Sequence, residues 1–304
     1  MASLTLTLYS KTTTHTLTKC VNLQFEKERY TPYTKASGVF VCEETPDEIY
    51  KVRITLDSVG IHYGPVDSFE FYKEKGISYV KFSSRGFSMG LSQNQPKPGM
   101  NLNVNLQSLI DANITVPYVS CEQDTEVANY IFVKETSSLW DAVVALCQKT
   151  EGGYPYISGE NKIMFSQPAT ATLDLSAEKI VKSGSGVHLT NVISDFHMKD
   201  TEDEYSYNYT NTVASGYEIV RHKYINLDRQ WLSDPDGGLM HKGYFSGKGI
   251  RYDFRKFVGC HFADLCEKVK LSSSSTKAVS RVLLEYNKNG FFTTLWFYVD
   301  NYQR

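Results

Sequence analysis

Apolar and polar residues alternate along much of this chain. The alternation has the two-residue period of half-buried β-strands rather than the 3.6-residue period of helices. It is clearest between Glu48 and Leu91. Val52, Ile54 and Leu56 alternate there with Lys51, Arg53 and Thr55. Asp57–Gly60 predicts a tight break, Ile61–Tyr63 extended chain up to Gly64-Pro65, and Val66–Tyr72 a further strand. After the Lys73–Gly76 turn, Ile77, Tyr79, Lys81 and Ser83 share one face, opposite Ser78, Val80 and Phe82. Upstream, strands are expected at Leu4–Tyr9, Val21–Phe25 and Gly38–Cys42, with the polar stretch 25–38 as a loop or crossover. Short strands at even spacing predict a small antiparallel barrel over residues 1–92.

The pattern then changes. Ser92–Gly99 carries two prolines and a glycine and reads as a linker. Leu102–Ala112 has one apolar side and predicts a short helix. Thr136–Lys149 predicts a longer one, with Thr136, Ser137 or Ser138 as N-cap and Leu139, Trp140, Val143, Val144 and Cys147 on one face. Gly152-Gly153 ends it, and a hairpin over 154–166 follows. Residues 93–168 are therefore an inserted α/β domain.

Residues 169–304 return to strands, expected at Val192–Lys199 and Tyr205–Thr210. Tyr205, Tyr207 and Tyr209 are predicted to form a ladder on one face. Residues 213–250 read as a packed, turn-rich loop. Asp253–Leu271 fits a helical spacing, or else a loop ending in a strand at "EKVKL". Val279–Tyr286 and Phe291–Tyr298 form a hairpin about the Asn289-Gly290 turn. The fold class is thus α+β, mainly β: two small antiparallel β-barrel domains with an inserted α/β domain, the second barrel carrying a long irregular insertion at about 213–270.

Composition adds constraints. Hydrophobic residues at 41% and charged residues at 22% are globular values, and 21 tyrosines favour strands and contact surfaces. A net charge of −2 with no basic stripe argues against sequence-specific nucleic-acid binding. No apolar run approaches the ~18 residues of a membrane span, and the Leu/Thr alternation at the N-terminus reads as a strand rather than a signal peptide. Cys20, Cys42, Cys121, Cys147, Cys260 and Cys266 include no C-x-x-C pair and predict free thiols from a reducing cytoplasm.

Cys260, His261 and Cys266 with His241 lack the paired spacing of a zinc site and read as core thiols with a packed histidine. Asp228, Asp234 and Asp236 with Gly237-Gly238 lack the ligand order of a calcium loop and read as turn formers. Ser183–Gly186 has no P-loop context and predicts a flexible turn. Glu43, Glu44 and the 200–204 acidic run sit in polar surroundings unsuited to an acid/base pair. Trp140 and Trp296 are expected to face the core, and Trp231 to be an interface anchor. No catalytic, cofactor or metal residue is assigned, and no enzyme activity is expected.

Three stretches carry a resemblance. Phe25, Glu26, Arg29, Tyr30, Pro32, Tyr33 and Thr34, then Gly64, Val66, Ser84 and Arg85, then Tyr130–Trp140, resemble the hub proteins of phage tail baseplates and tail tips. That fold is shared with the N-terminal part of type VI secretion VgrG spikes. The resemblance implies a homotrimeric structural hub of the virion, assembled in the host bacterial cytoplasm. Its two related barrels would be repeated by three subunits into a pseudo-six-fold ring around the DNA and tape-measure channel. It would adapt the six-fold tail tube to the three-fold central spike. The implied partners are the tail tube or distal tail protein, the spike protein, the C-terminus of the tape-measure protein and baseplate wedge proteins. The chain length leaves spike or wall-degrading domains to other polypeptides. The alternative from sequence is a β-rich carbohydrate- or receptor-binding tail accessory, and a wall hydrolase is a third reading without a placeable acid/base pair.

Overall fold

The computed structural model describes residues 3–43, 47–113, 115–168 and 172–299. Of the described residues, 47% are in strands and 16% in helices, as the α+β, mainly β class requires. In chain order the elements begin with β1 (Leu4–Ser10), β2 (Thr14–Leu17), β3 (Cys20–Glu28), β4 (Lys35–Val41), β5 (Ile49–Leu56), β6 (Val59–Glu74) and β7 (Ile77–Arg85). Then come α1 (Gly90–Gln93), β8 (Gly99–Val104), α2 (Leu106–Asn113), β9 (Ser120–Cys121), β10 (Ala128–Val133), α3 (Leu139–Thr150), β11 (Tyr156–Ser158) and β12 (Lys162–Met164). β13 (Thr172–Asp174), β14 (Ile180–Val187), β15 (Asp195–Met198), β16 (Tyr207–Thr210), α4 (Thr212–Ser215), β17 (His222–Ile225) and α5 (Pro235–Ser246) follow. The last are β18 (Arg251–Val258), β19 (Lys268–Ser272), β20 (Ser275–Ala278), β21 (Arg281–Asn287) and β22 (Gly290–Val299). Of the described residues, one compact unit takes 3–183 with 254–297, and a second takes 184–253 with 298–299.

In the first unit the strands run in the order β14-β18-β22-β21-β3-β4-β7-β6-β5-β1-β2. β21 and β3, more than 250 residues apart in sequence, are antiparallel neighbours with Arg281 opposite Glu28 and Leu284 opposite Phe25. The alternation seen in the sequence sorts the side chains: Leu6, Phe25, Phe40, Ile54, Phe82 and Phe297 are buried at 2% exposure or less. Each such side chain contributes roughly 1.5–3 kcal/mol by leaving water.

Gly64-Pro65 does not end a strand, as the sequence suggested. β6 passes through it for 16 residues and changes partner there. Lys51 of β5 stands opposite Pro65, and Val66 opposite Ser84 of β7. Proline is tolerated where one ladder stops and the other starts. Gly64 is required by close approach, since a Cβ there would lie 1.9 Å from the Arg85 carbonyl oxygen.

The predicted helix at Leu102–Ala112 is corrected to a strand followed by a helix. Met100 and Leu102 alternate with asparagines in β8 and stand opposite Phe132 and Tyr130 of β10. The longer helix is α3, and its N-cap is Ser138. The Ser138 hydroxyl accepts from the Asp141 amide, and the Asp141 carboxylate accepts from the Ser138 amide. Leu139, Trp140, Val143, Val144 and Cys147 are all buried, as expected from their spacing.

The 158–161 hairpin tip is held from several sides within this unit. Lys27, 1% exposed, pairs with Asp264 at 2.5 Å and donates to the Gly159 carbonyl at 2.8 Å. Asp264 accepts from the Gly159 amide at 2.6 Å and the Ser158 hydroxyl at 3.1 Å. Arg53 grips Glu160 through two hydrogen bonds, 2.5 and 3.0 Å. Asn161 donates to the Tyr63 carbonyl and accepts from the Ser88 amide. Beside this, the Lys51 ammonium lies within 5.4 Å of the ring centroids of Tyr9, Tyr50, Tyr63 and Tyr118 and donates to the Tyr118 hydroxyl. Burial disfavours its charge, but hydrogen bonding to Tyr63 and Tyr118 outweighs that, and its pKa is raised.

In the second unit β16, β15 and β17 form a small sheet, and Phe196 and Met198 pack with Leu239 of α5. The stretch read as a packed loop thus holds β17, α4 and α5. Asp234 caps α5, with Pro235 in its first turn. Tyr205 departs from the predicted ladder: Tyr207 and Tyr209 pack with Phe196 and Met198, whereas Tyr205 meets Tyr224 edge to face at 5.1 Å. The helical spacing over 253–271 is overruled by β18 and β19. β18 lies between β14 and β22, so Phe254 and Phe257 serve opposite sheet faces instead of one helix face.

Candidate assembly surface

The residues that alternate with the core of the first unit form its other sheet face. Cross-strand register puts Lys256, Arg281, Glu285, Gln24, Glu26, Lys35, Ser37, Ser83, Lys81, Ser68 and Glu70 on that side. Most of their charges are spent on one another, while the Lys35 ammonium lies over the Tyr33 ring. Lys256 meets Glu285 at 2.7 Å, Arg281 meets Glu26 at 3.0 Å, Lys81 meets Glu70 at 3.7 Å, and Arg85 binds Asp67 bidentately at 2.8 and 2.9 Å. Serines 37, 68 and 83 stand in adjacent strands between these pairs. Glu26, Lys35, Asp67 and Arg85 ring a shallow depression of ≈ 260 Å³.

Below that depression is a polar relay sealed from solvent. Thr34 Oγ1 lies 2.7 Å from His62 Nδ1, and His62 Nε2 lies 2.9 Å from Ser84 Oγ. Ser84 donates to the Pro65 carbonyl at 2.6 Å. Ser84 Oγ therefore accepts from His62 Nε2–H, and His62 Nδ1 accepts from Thr34. Burial disfavours the imidazolium and depresses the His62 pKa to about 3. A serine, a histidine and a threonine in a row suggest nucleophile chemistry, yet all three are at most 2% exposed and the serine proton is already committed. The relay fixes the junction between β4, β6 and β7.

Several residues of the first two motif stretches gather here. Glu26 and Arg85 line the depression, Thr34 and Ser84 are in the relay, Gly64 admits the Arg85 backbone, and Lys35 and Arg85 lie over the Tyr33 ring at 5.9 Å. Arg29 covers Tyr30, whose ring meets Tyr154 edge to face at 4.9 Å. Sequence reasoning missed His62, Asp67, Lys27 and Asp264. A histidine and a lysine at core-parity positions of otherwise alternating strands were the available signal.

The sheet has open edges. In the ladder of described residues β14 pairs with β18 alone, and β6 beyond Val66 pairs with β7 alone. β14 is exposed along nearly its whole length, with Ile180 and Val181 at 43% and 52%. A strand of this length with one edge open is a template for pairing with another chain.

The other candidates are placed as follows. Ser183–Gly186 is not a turn but part of β14, where Gly186 leaves room for the Tyr252 ring, 2.4 Å from a would-be Cβ. Cys260 and Cys266 are in no disulfide, His261 Nε2 bonds the Val258 carbonyl, and burial pushes the Cys260 thiol up to about 11. His241 lies against Trp231 at 4.8 Å. Among the described residues no three His, Cys, Asp or Glu side chains gather as metal ligands. Asp228 pairs with Lys242 at 2.9 Å, and Asp234 and Asp236 open α5. Glu43 pairs with Lys19 on the surface, Glu44 lies outside the described residues, and Asp200 closes its own turn on the Glu202 and Glu204 amides. Trp140 is buried, but Trp296 is not core-facing: Leu295 and Phe297 take the core positions, and Trp296 lies under Arg281 at 4.5 Å on the paired-charge face.

No protein-family model matches the chain, and no curated protein matches it in sequence. Solved structures do. The tail protein from Neisseria meningitidis MC58 superposes with a TM-score of 0.71 at 13% identity, covering 98% of this chain and 97% of its own. The 43 kDa tail protein of prophage MuSo2 from Shewanella oneidensis gives 0.68 at 10% identity, with 97% of both chains covered. The E. coli c3393 protein, a type VI secretion component itself structurally similar to T4 bacteriophage tail proteins gp27 and gp5, gives 0.54 at 6% identity over 93% of this chain and 74% of its own. Over nearly its whole length, then, the chain has the fold of phage tail proteins, shared with spike-related components of type VI secretion.

Proposed function

We propose that this protein is the structural hub of a phage tail baseplate or tail tip. It acts as a homotrimer that adapts a six-fold tube to a three-fold spike. Residues 1–92 and 169–304 form its two β domains, and 93–168 the insert between them. The observation that carries this reading is the likeness, over nearly the whole of both chains, to two tail proteins. Two features support it. The open edges of β14 and outer β6 suit subunit-to-subunit strand pairing. The paired-charge face suits a channel lining, because a surface with all but one of its cations already matched holds a passing polyanion weakly. In this reading the tail tube or distal tail protein, the spike, the tape-measure C-terminus and the wedge proteins are its neighbours in the virion.

The test is light scattering after size exclusion, with and without the cognate spike, on the native chain and on Val181→Lys. The native chain is expected to reach three times its 34.5 kDa mass, and the edge variant to fall towards one. A native chain that stays monomeric under both conditions, together with particles whose tail tips lack it by cryo-EM, would end the proposal.

A further inference from the structure

The outer face of the small sheet in the second unit carries His197 on β15 and His222 on β17. Their ring planes lie within 1° of parallel with centroids 5.3 Å apart, and His197 Nε2 is 3.0 Å from His222 Nδ1. Two parallel planes cannot be farther apart than any atom pair that links them. The planes are therefore closer than the ~3.5 Å of a van der Waals stack, and the rings sit side by side. The contact is an in-plane N–H···N hydrogen bond.

Its proton can be assigned. Asn208 Nδ2 donates to the Ser206 carbonyl, which turns Asn208 Oδ1 towards His197 Nδ1 at 2.5 Å. A carbonyl oxygen only accepts, so His197 carries its proton on Nδ1, and its Nε2 accepts from His222 Nδ1–H. His222 Nε2 faces Asp195 at 3.7 Å. The bond needs an acceptor nitrogen on one ring, so with both rings protonated two N–H groups and two cations would meet across it.

We propose that this pair is an acid-sensitive latch on β17. β17 is the edge strand of its sheet, and of its four residues only Ile225 reaches the core. Its entry is tied down hard. Arg221 donates to the Leu189, Thr190 and Val192 carbonyls, and its own backbone amide and carbonyl bond the Ser194 hydroxyl. Beyond Arg221, β17 is held by its parallel backbone ladder to β15 and by Ile225, and among side chains by the imidazole bond, the Tyr224 ring on His197 and His222 beside Asp195. Double protonation breaks the imidazole bond, and 222–225 swing out on Arg221, uncovering the β15 edge. The other groups on this face are Asp195 of β15, bonded to Thr210, and Lys199 just beyond the strand, paired with Asp203. Tyr224 stacks on His197 at 4.5 Å, and Tyr205 lies edge-on to it. β16 contributes only the uncharged Asn208 and Thr210, and α5 packs on the opposite face.

The experiment is amide hydrogen exchange on the full chain at pH 8 and pH 5, expressed as protection factors. For the native protein, protection across 222–225 is expected to drop tenfold or more at pH 5 while Ser194 and Phe196 hold theirs. In His222→Asn and His197→Gln, 222–225 should be weakly protected at both pH values. Equal native protection at the two pH values overturns the latch, as does a drop of the same size in either variant.

Discussion

Replacing Lys27 by methionine tests the buried pairing most directly. The side chain is 1% exposed, and its ammonium has two partners, Asp264 Oδ1 at 2.5 Å and the Gly159 carbonyl at 2.8 Å. Methionine fills nearly the same volume, so the cavity contribution is small and the loss is electrostatic. Asp264 would keep the Gly159 amide, the Ser158 hydroxyl and the Leu265 amide as donors, but its charge would be buried without a counter-ion. Breaking one side of such a pair costs about 3–5 kcal/mol, a third or more of the 5–15 kcal/mol that typically holds a domain folded. Asp264→Asn should cost a similar amount by stranding the ammonium. The double variant removes both charges and leaves an amide able to accept from Gly159, so it should cost less than the two single changes together, with a coupling of at least about 2 kcal/mol. Urea unfolding followed by tryptophan emission would measure all three, since Trp140 and Trp296 lie in this unit. A loss below about 1 kcal/mol in Lys27→Met, or additive costs in the double variant, would refute the reasoning.

Three further outcomes are expected. His62 binds a proton in the unfolded chain near its ordinary pKa of 6.5 but in the fold only near about 3, so the unfolded state takes up more protons between those values. Its contribution is complete above pH 6.5 and fades as pH falls towards 3, by up to about 1.4 kcal/mol per unit. His62→Gln should flatten that part of a stability–pH curve, and an unchanged slope would count against the neutral relay. Gly64→Ala, with its Cβ 1.9 Å from a backbone oxygen, should cost at least about 2 kcal/mol because a backbone must shift rather than a side chain; a melting curve would show it. Changing Glu26, Glu70 and Glu285 together to glutamine frees Arg281, Lys81 and Lys256. Duplex DNA should then bind with a salt dependence steeper than that of the native chain, and identical binding curves would remove the argument from paired charges.

Much of the fold was legible because local alternation and capping decide it locally. Val52, Ile54 and Leu56 went to the core as their spacing required, and Ser138 and Asp141 closed the capping box three residues apart. What the sequence could not show depends on distant partners. Nothing near Lys27 announces Asp264, 237 positions away, and a lysine at a core-facing strand position reads as a fault in the pattern until its partner is known. Gly64-Pro65 looked like a stop because local rules treat it as one; it is a change of neighbour, visible only once β5 and β7 are both in place. Trp296, in a regular element, reads from the sequence as core-facing, but the parity of Leu295 and Phe297 decides the matter. Over 253–271 the apolar residues matched helical spacing because β18 has apolar neighbours on both faces, which erases the two-residue period.

β6 has a mechanical corollary. At about 3.3 Å per residue, its 16 residues make a continuous strut on the order of 50 Å long. One half is laced to β5 and the other to β7, on opposite flanks. A pull along its axis loads both lacings in shear, so many bonds must yield together instead of opening one by one from an end. The strut would transmit tension across this half of the molecule while giving little itself.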